Sequence, residues 1–298
     1  MLSGETPIKP RRSCLFMPGS NERALEKART LPCDTVIIDL EDAVAPEAKA
    51  GTRALVVDTV RNGGFGHREV VVRINGLETE WGAEDMVAAA TCGADAVLVP
   101  KVTTAADIAL ASSLMDRAGA ADHVALWVMI EMPLAILNMA AIAGSAGETR
   151  LSAFVMGTND MAKELLAEPT PDRAAFQPSL GLTLLAARAH GLVALDGVYN
   201  DIADADGFRS ECVQGRNLGF DGKTLIHPSQ IEICNSVFSP AAEDVTQARA
   251  VIAAFEEPEN ANKGVIKVDG KMVERLHLAQ ALRLVALEEA IASRRRPD

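Results

Sequence analysis

The chain has 298 residues, of which 48% are apolar and 23% charged, a balance that belongs to a folded protein and excludes a disordered, collagen-like or disulfide-scaffolded one. Its 29 lysines and arginines against 41 aspartates and glutamates give a net charge of −12, which argues against a nucleic-acid partner, because binding that backbone needs a basic face. A few arginines gathered in one pocket still suit a local anion.

Cys14, Cys33, Cys92, Cys212 and Cys234 form no CxxC pair and no zinc-spaced cluster, which fits a reducing compartment. Lys9, Arg11 and Arg12 precede no apolar leader, and no run reaches the roughly 18 apolar residues of a membrane span. A cytoplasmic protein with no membrane partner is the expectation.

Eight apolar runs then follow in order: Cys14–Pro18, Thr35–Leu40, Val70–Ile74, Ala96–Pro100, Ala125–Ile130, Ala153–Met156, Val193–Leu195 and Thr224–Ile226. Most are continuous rather than alternating, the pattern of parallel strands buried on both faces. Between them lie helical stretches, among them Gly82–Thr91, Ala105–Ala118 with Thr104 as its N-cap, and Gly181–His190. Eight such units predict an α/β fold, a (β/α)8 TIM barrel over residues 1–240, with a doubly wound open sheet as the alternative.

Beyond the barrel, Ser239 as N-cap and Pro240 in the first helical position predict a helix to about Phe255. A polar loop over 256–263, the run Val265–Val268 and an amphipathic helix from Met272, carrying Leu278, Leu282 and Val285, come next. Arg294–Arg296 read as a frayed, solvated end. A C-terminal helical extension over 241–298 is too small to fold alone and must pack on its own barrel or on a neighbouring subunit.

In such a barrel the strand ends build the active site. Here the second run leads to Asp39, Glu41 and Asp42, the third to Arg73 and Asn75, the fourth to Lys101 and the fifth to Glu131. The sixth leads to Thr158, Asn159 and Asp160, the seventh to Asp196, and the eighth to His227 and Gln230. So many charges at one mouth require pairing or a cation, because isolated buried charges are costly.

Glu131 and Asp160 suit Mg2+, which takes one or two carboxylates and keeps waters and substrate oxygens; salt-bridged strand-end acids are the alternative. Asp39, Glu41 and Asp42 either hold metal-bound waters or cap the following helix, with Asp39 read as structural. Arg73 suits a carboxylate or a developing oxyanion, or pairs with Glu41 or Asp42, and both roles are compatible. The turn Met17-Pro-Gly-Ser-Asn-Glu-Arg23, with Lys27 beyond it, offers N–H groups and two cations to a phosphate. His227 reads as a hydrogen-bonded structural histidine.

Eight segments taken together carry a resemblance. They are Leu15-Phe-Met-Pro-Gly-Ser-Asn21 with Arg23 and Lys27, Val36-Ile-Ile-Asp-Leu-Glu-Asp-Ala43, Val71-Val-Arg-Ile-Asn75, Leu98-Val-Pro-Lys101, Met129-Ile-Glu-Met-Pro133, Gly157-Thr-Asn-Asp160, Ala194-Leu-Asp-Gly-Val198, and Gly219 through Gln230. In this order they resemble the HpcH/HpaI aldolase and citrate lyase β-subunit superfamily, in its CitE-like branch of acyl-CoA lyases.

The resemblance implies a TIM barrel whose C-terminal extension reaches the adjacent subunit of a homotrimer or hexamer, with Mg2+, or Mn2+ in its place, on Glu131 and Asp160. It implies C–C bond cleavage or formation in 3-hydroxyacyl-CoA thioesters such as malyl-, citramalyl- or citryl-CoA, giving a 2-oxo acid and acetyl- or propionyl-CoA. Arg73 and the metal would hold the oxo acid, Gly157, Thr158 and the N–H groups through Asp160 its carboxylate, and Arg23 and Lys27 the CoA phosphates. Glu41 and Asp42 complete the expected catalytic set.

The family's acid/base residue comes from a neighbouring chain in a Gly-x-Met-[Val/Ile]-Asp pattern, which here reads Gly270-Lys-Met-Val-Glu274. Glu274 would therefore exchange the proton at the thioester α-carbon, with a reach one methylene longer. Asn159 stands where many relatives carry Glu or Asp and receives no catalytic role. The alternatives are a citrate lyase β-subunit acting on a carrier-bound citryl thioester within a lyase complex, a class II pyruvate aldolase without CoA, a thioester hydrolysis step after condensation, and a barrel that binds acyl-CoA without chemistry.

Overall fold

The computed structural model describes residues 8–260 and 262–294. The described residues divide into two compact units, one spanning Arg11–Phe238 and the other formed from residues 239–260 and 262–294 together with residues 8–10.

In the first unit eight parallel strands close a barrel in sequence order: β1 (Ser13–Pro18), β2 (Thr35–Asp39), β3 (Glu69–Arg73), β4 (Ala96–Val99), β5 (Ala125–Ile130), β6 (Leu151–Met156), β7 (Val193–Asp196) and β8 (Gly222–Leu225). β8 pairs back onto β1, and helices fill the connections. Cys14, Ile37, Val71, Leu98, Trp127, Met129, Val155 and Leu195 pack inside the barrel. Their strand neighbours Leu15, Val36, Val72, Val97, Val128, Phe154 and Ala194 belong to the larger core under the helices. Burial on both faces is why the runs read as continuously apolar.

Thr104 caps the helix Ala105–Ala118 with a full capping box, its Oγ1 accepting from Asp107 N–H and the Asp107 carboxylate accepting from Thr104 N–H. β6 begins at Leu151 rather than Ala153, and β8 at Gly222 rather than Thr224. In β8 the charged Lys223 hid the strand, yet it is fully buried and ion-paired. The helix expected from Gly181 starts earlier, at Gln177, with Pro178 in its first turn.

In the second unit the helix expected from Ser239 and Pro240 begins at Ala242, after extended Ala241, and ends at Glu256. A separate helix, Ile231–Phe238, ends the first unit, so Pro240 falls in the break between two helices instead of opening one. Met272 does not start a helix either: Lys271–Glu274 (β10) pairs antiparallel with Val265–Val268 (β9). Asp269 and Gly270 turn the hairpin at φ 47° and 82°, the left-handed values that an Asp-Gly turn supplies.

The helix Arg275–Arg294 follows. Leu278 and Val285 pack against Val251, Phe255, Ile266 and Val273, whereas Leu282 is exposed. Of the expected frayed end, Arg294 closes this helix, and Arg295 and Arg296 lie outside the described residues. Among the described residues no helix is long and apolar enough to cross a membrane.

Candidate active site

The C-terminal strand ends of the barrel open on a cavity of about 410 Å³ with apolar walls from Phe16, Met129, Met156, Val198 and Ile226. Asp39, Asp42, Arg73, Glu131, Gly157, Thr158 and Asp160 also line it. The barrel thus gathers most of the strand-end residues singled out from the sequence into one mouth.

Register places Asp39 opposite Arg73 on β2 and β3. Both Asp39 oxygens accept from the guanidinium, at 2.7 Å from Nε and 2.7 Å from Nη2. Arg73 Nη1 lies 2.9 Å from Glu41 Oε2 and 3.3 Å from Asp42 Oδ2, and the guanidinium sits 4.9 Å from the Phe16 ring centre. Burial works against its charge, but Asp39, Glu41 and Asp42 outweigh it and raise its pKa. Arg73 therefore has Asp39 as its principal partner, in addition to the Glu41 and Asp42 contacts expected from the sequence. Asp39 also accepts from Glu41 N–H at 2.8 Å and Ala43 N–H at 3.1 Å, which fixes the loop after β2.

That loop has a second anchor that sequence reasoning missed. The Lys49 ammonium, buried under the Trp81 ring, donates to Leu40 O at 2.9 Å, Glu41 O at 2.7 Å and Asn75 Oδ1 at 2.7 Å. Asn75 in turn donates to Asp85, which pairs with Arg53. A lysine in an amphipathic helix reads as solvated, and no spacing signal marks it as buried.

Glu131 follows β5 and is 1% exposed. Burial pushes its carboxyl up to about 7, with the Glu41 and Asp160 charges adding to the shift and the Lys101 N–H opposing it. Lys101, after β4, donates its N–H to Glu131 Oε1 at 2.7 Å and pairs its ammonium with Glu41 Oε1. A Cβ at Gly157 would fall 2.4 Å from Glu131 Oε2, so only glycine permits this approach.

Asp160 is half-buried in the first turn of the helix Thr158–Leu165. Gly157 has no free N–H to offer a ligand, because it donates to Ile130 O at 3.1 Å. The N–H groups of Thr158, Asn159 and Asp160 precede the first internal bond of that helix, from Met161 N–H to Gly157 O, and are the available donors.

These carboxylates fit a divalent cation with a preference for oxygen. Glu131 has a buried carboxylate whose charge is disfavoured, and Asp160 adds a second nearby. Among the described residues no group of three or more His, Cys, Asp and Glu forms a protein cage. A two-carboxylate site completed by waters and substrate oxygens is the Mg2+ pattern.

Of the remaining sequence candidates Asn159 also lines the cavity, and the others lie elsewhere. Asp196 is not at the mouth: strand alternation turns it to the outer face with Ala194, where it is fully buried and paired with Arg173 at 2.7 Å and Lys223 at 3.2 Å. His227 caps a short turn through its Nδ1, and Gln230 ties Ile226 N–H to Tyr199 O. Asn159 exchanges amide hydrogen bonds with Asn200 at 2.7 and 3.2 Å.

Arg23 and Lys27 are exposed on the short helix Glu22–Ala28, away from the cavity lining. Gly19 serves the backbone there, donating to Asp39 O at 3.0 Å. Glu274 lies in the second unit, exposed on β10, with its N–H bonded to His277 Nδ1 at 2.9 Å.

Comparisons with known proteins converge on this site's fold. Residues 12–228 match the family model described as HpcH/HpaI aldolase/citrate lyase. The chain is 52% identical over 284 residues, 95% of its length and 96% of the relative's, to a (3S)-malyl-CoA thioesterase of Cereibacter sphaeroides. It is 34% identical over 287 residues, 94% of each chain, to the citrate lyase subunit beta of Leuconostoc mesenteroides subsp. cremoris. Among solved structures it is similar to CitE from Mycobacterium tuberculosis in complex with magnesium, acetoacetate and coenzyme A, with a TM-score of 0.71, 28% identity and coverage of 93% of this chain and 97% of that one. The chain belongs to the HpcH/HpaI aldolase/citrate lyase family of enzymes.

Proposed function

We propose that this chain is a Mg2+-dependent enzyme acting on a malyl-type 3-hydroxyacyl-CoA thioester, with thioester hydrolysis as its net reaction. The observation that carries the reading is the buried Glu131 carboxylate beside Asp160, in the same mouth as Arg73, in a chain 52% identical to a (3S)-malyl-CoA thioesterase. Mg2+, or Mn2+ in its place, would be held by Glu131 and Asp160 and would supply Lewis-acid polarisation of a substrate oxygen. Arg73 offers its guanidinium to the substrate carboxylate, and the N–H groups of Thr158, Asn159 and Asp160 offer further donors. Met129, Met156 and Ile226 give the mouth an apolar wall beside these groups. In hydrolysis the C–S bond breaks, water oxygen joins the acyl carbon, and the thiolate leaves to take a proton, giving a hydroxy diacid and free CoA.

The second reading is the C–C lyase, favoured by the 34% identity to a citrate lyase subunit beta. The bond between the hydroxyl-bearing carbon and the thioester α-carbon would break, giving a 2-oxo acid and acetyl- or propionyl-CoA. Glu274 of an adjacent subunit in a homotrimer or hexamer would return the proton to the α-carbon, with Glu41 and Asp42 beside Arg73. Arg23 and Lys27 would hold the CoA phosphates. A cytoplasmic setting accords with cysteines that are all free and buried.

Malyl-CoA incubated with Mg2+ or with EDTA separates these outcomes, with thiol release and 2-oxo acid trapped by phenylhydrazine read in parallel. Metal-dependent thiol without oxo acid is expected. Oxo acid without thiol would replace hydrolysis by the lyase reaction, and silence across malyl-, citramalyl- and citryl-CoA would overturn both.

A further inference from the structure

A chain of contacts crosses the mouth from the metal carboxylate to the arginine, and Lys101 is its centre. Lys101 has φ 56°, a left-handed conformation that costs an L-residue with a side chain and persists only where the surroundings impose it. The conformation lets one residue act in two directions. Its N–H reaches Glu131 Oε1 at 2.7 Å, and its ammonium reaches Glu41 Oε1. The other Glu41 oxygen meets Arg73 Nη1 at 2.9 Å, and Arg73 is clamped by Asp39 beyond.

We infer that Lys101 is a positioning residue that orients Glu131 through its backbone and, through its ammonium, holds Glu41 so that Arg73 stays available to an anionic substrate. The inference rests on the proposed function above. With Oε1 of Glu131 taken by the Lys101 N–H, Oε2, the oxygen facing Gly157, remains for a cation. Glu41 is 7% exposed, so its charge must be shared by cations rather than by water. Lys101 and Arg73 share it. Without the ammonium, Arg73 must meet the Glu41 carboxylate without Lys101, and the guanidinium is drawn into that pair and away from a ligand.

The two arms separate by substitution, because the Glu131 contact uses the backbone and the Glu41 contact the side chain. Mn2+ affinity is read by electron paramagnetic resonance, and pyruvate affinity by calorimetry at saturating Mg2+. Lys101→Met is expected to weaken pyruvate binding about tenfold or more while Mn2+ affinity changes less than about threefold. Lys101→Gly keeps the N–H and removes the strain, so it is expected to reproduce both effects with no loss of thermal stability. Lys101→Arg restores the charge and is expected to recover most of the pyruvate affinity.

Unchanged pyruvate binding in the Met variant, a parallel fall of Mn2+ and pyruvate affinity, or no recovery in the Arg variant would each overturn the inference. Because neither readout needs turnover, a wild-type protein that binds both probes but cleaves no thioester fails the functional reading alone. One that binds neither overturns both.

Discussion

Glu131 and Gly157 meet across the ends of β5 and β6 so closely that a methyl group at 157 would lie 2.5 Å from Glu131 Cβ as well as 2.4 Å from Oε2. Gly157 has φ −103°, which any residue adopts, so its necessity is steric and not conformational. Gly157→Ala must therefore push the Glu131 side chain out of its place. The expected cost is about 1–3 kcal/mol of stability, as for other overpacked sites. Mn2+ affinity should fall together with it. Urea unfolding and Mn2+ titration check this, and an alanine variant with undiminished Mn2+ affinity would remove Glu131 from the metal site.

The raised Glu131 pKa makes a signed prediction for the metal-free protein. The carboxyl titrates at about 7 when folded against 4.5 as the ordinary value, so between these the folded state binds a proton the unfolded chain has released. Stability therefore falls as pH rises through this window, by up to about 3 kcal/mol for a shift of this size. Urea midpoints in EDTA should show this contribution as the difference between wild type and Glu131→Gln, larger at pH 8 than at pH 5. Mg2+ at pH 8 should recover stability in wild type and not in the Gln variant. An identical pH dependence in the two proteins would refute the assignment.

What the sequence revealed follows from how directly each feature depends on neighbouring residues. The barrel strands were legible because burial on both faces leaves unbroken apolar runs, and Thr104 was legible because a cap is a contact within one turn. Arg73 was legible as a charge closing such a run, Glu131 and Asp160 as residues past one, and the cavity gathers them. Their partners were not. The Asp39 grip on Arg73 depends on register between β2 and β3, and the Lys49 anchor depends on which face of a helix is buried. The side of Asp196 is not legible from its place at a strand end, because alternation with Leu195 turns it outward rather than to the mouth. The β9–β10 hairpin was missed although Asp269-Gly270 is a strong local turn signal, because Leu278 and Val285 extended a helical pattern back over it.

The cluster that holds Asp196 makes the last prediction. Asp196 and Lys223 are both fully buried, Arg173 is 3% exposed, and Glu211 completes the set at 2.6 Å from the Lys223 ammonium. Burial acts against the Asp196 carboxylate, but Lys223 and Arg173 outweigh it and lower its pKa, so its stabilising effect is present at neutral pH and lost as pH falls through the carboxylate range. Asp196→Asn leaves Lys223 and Arg173 sharing Glu211 alone, and removing one partner from a buried ion cluster costs about 3–5 kcal/mol. Adding Lys223→Met to that variant removes the stranded charge and should recover part of the loss. Because the cluster lies outside the barrel wall, Mn2+ affinity should be unchanged wherever the variant is folded. Chemical denaturation of the two single variants and the double variant measures the coupling. Additive losses would show that Asp196 and Lys223 are independent, and a fall in Mn2+ affinity of the folded Asn variant would tie the cluster to the metal site.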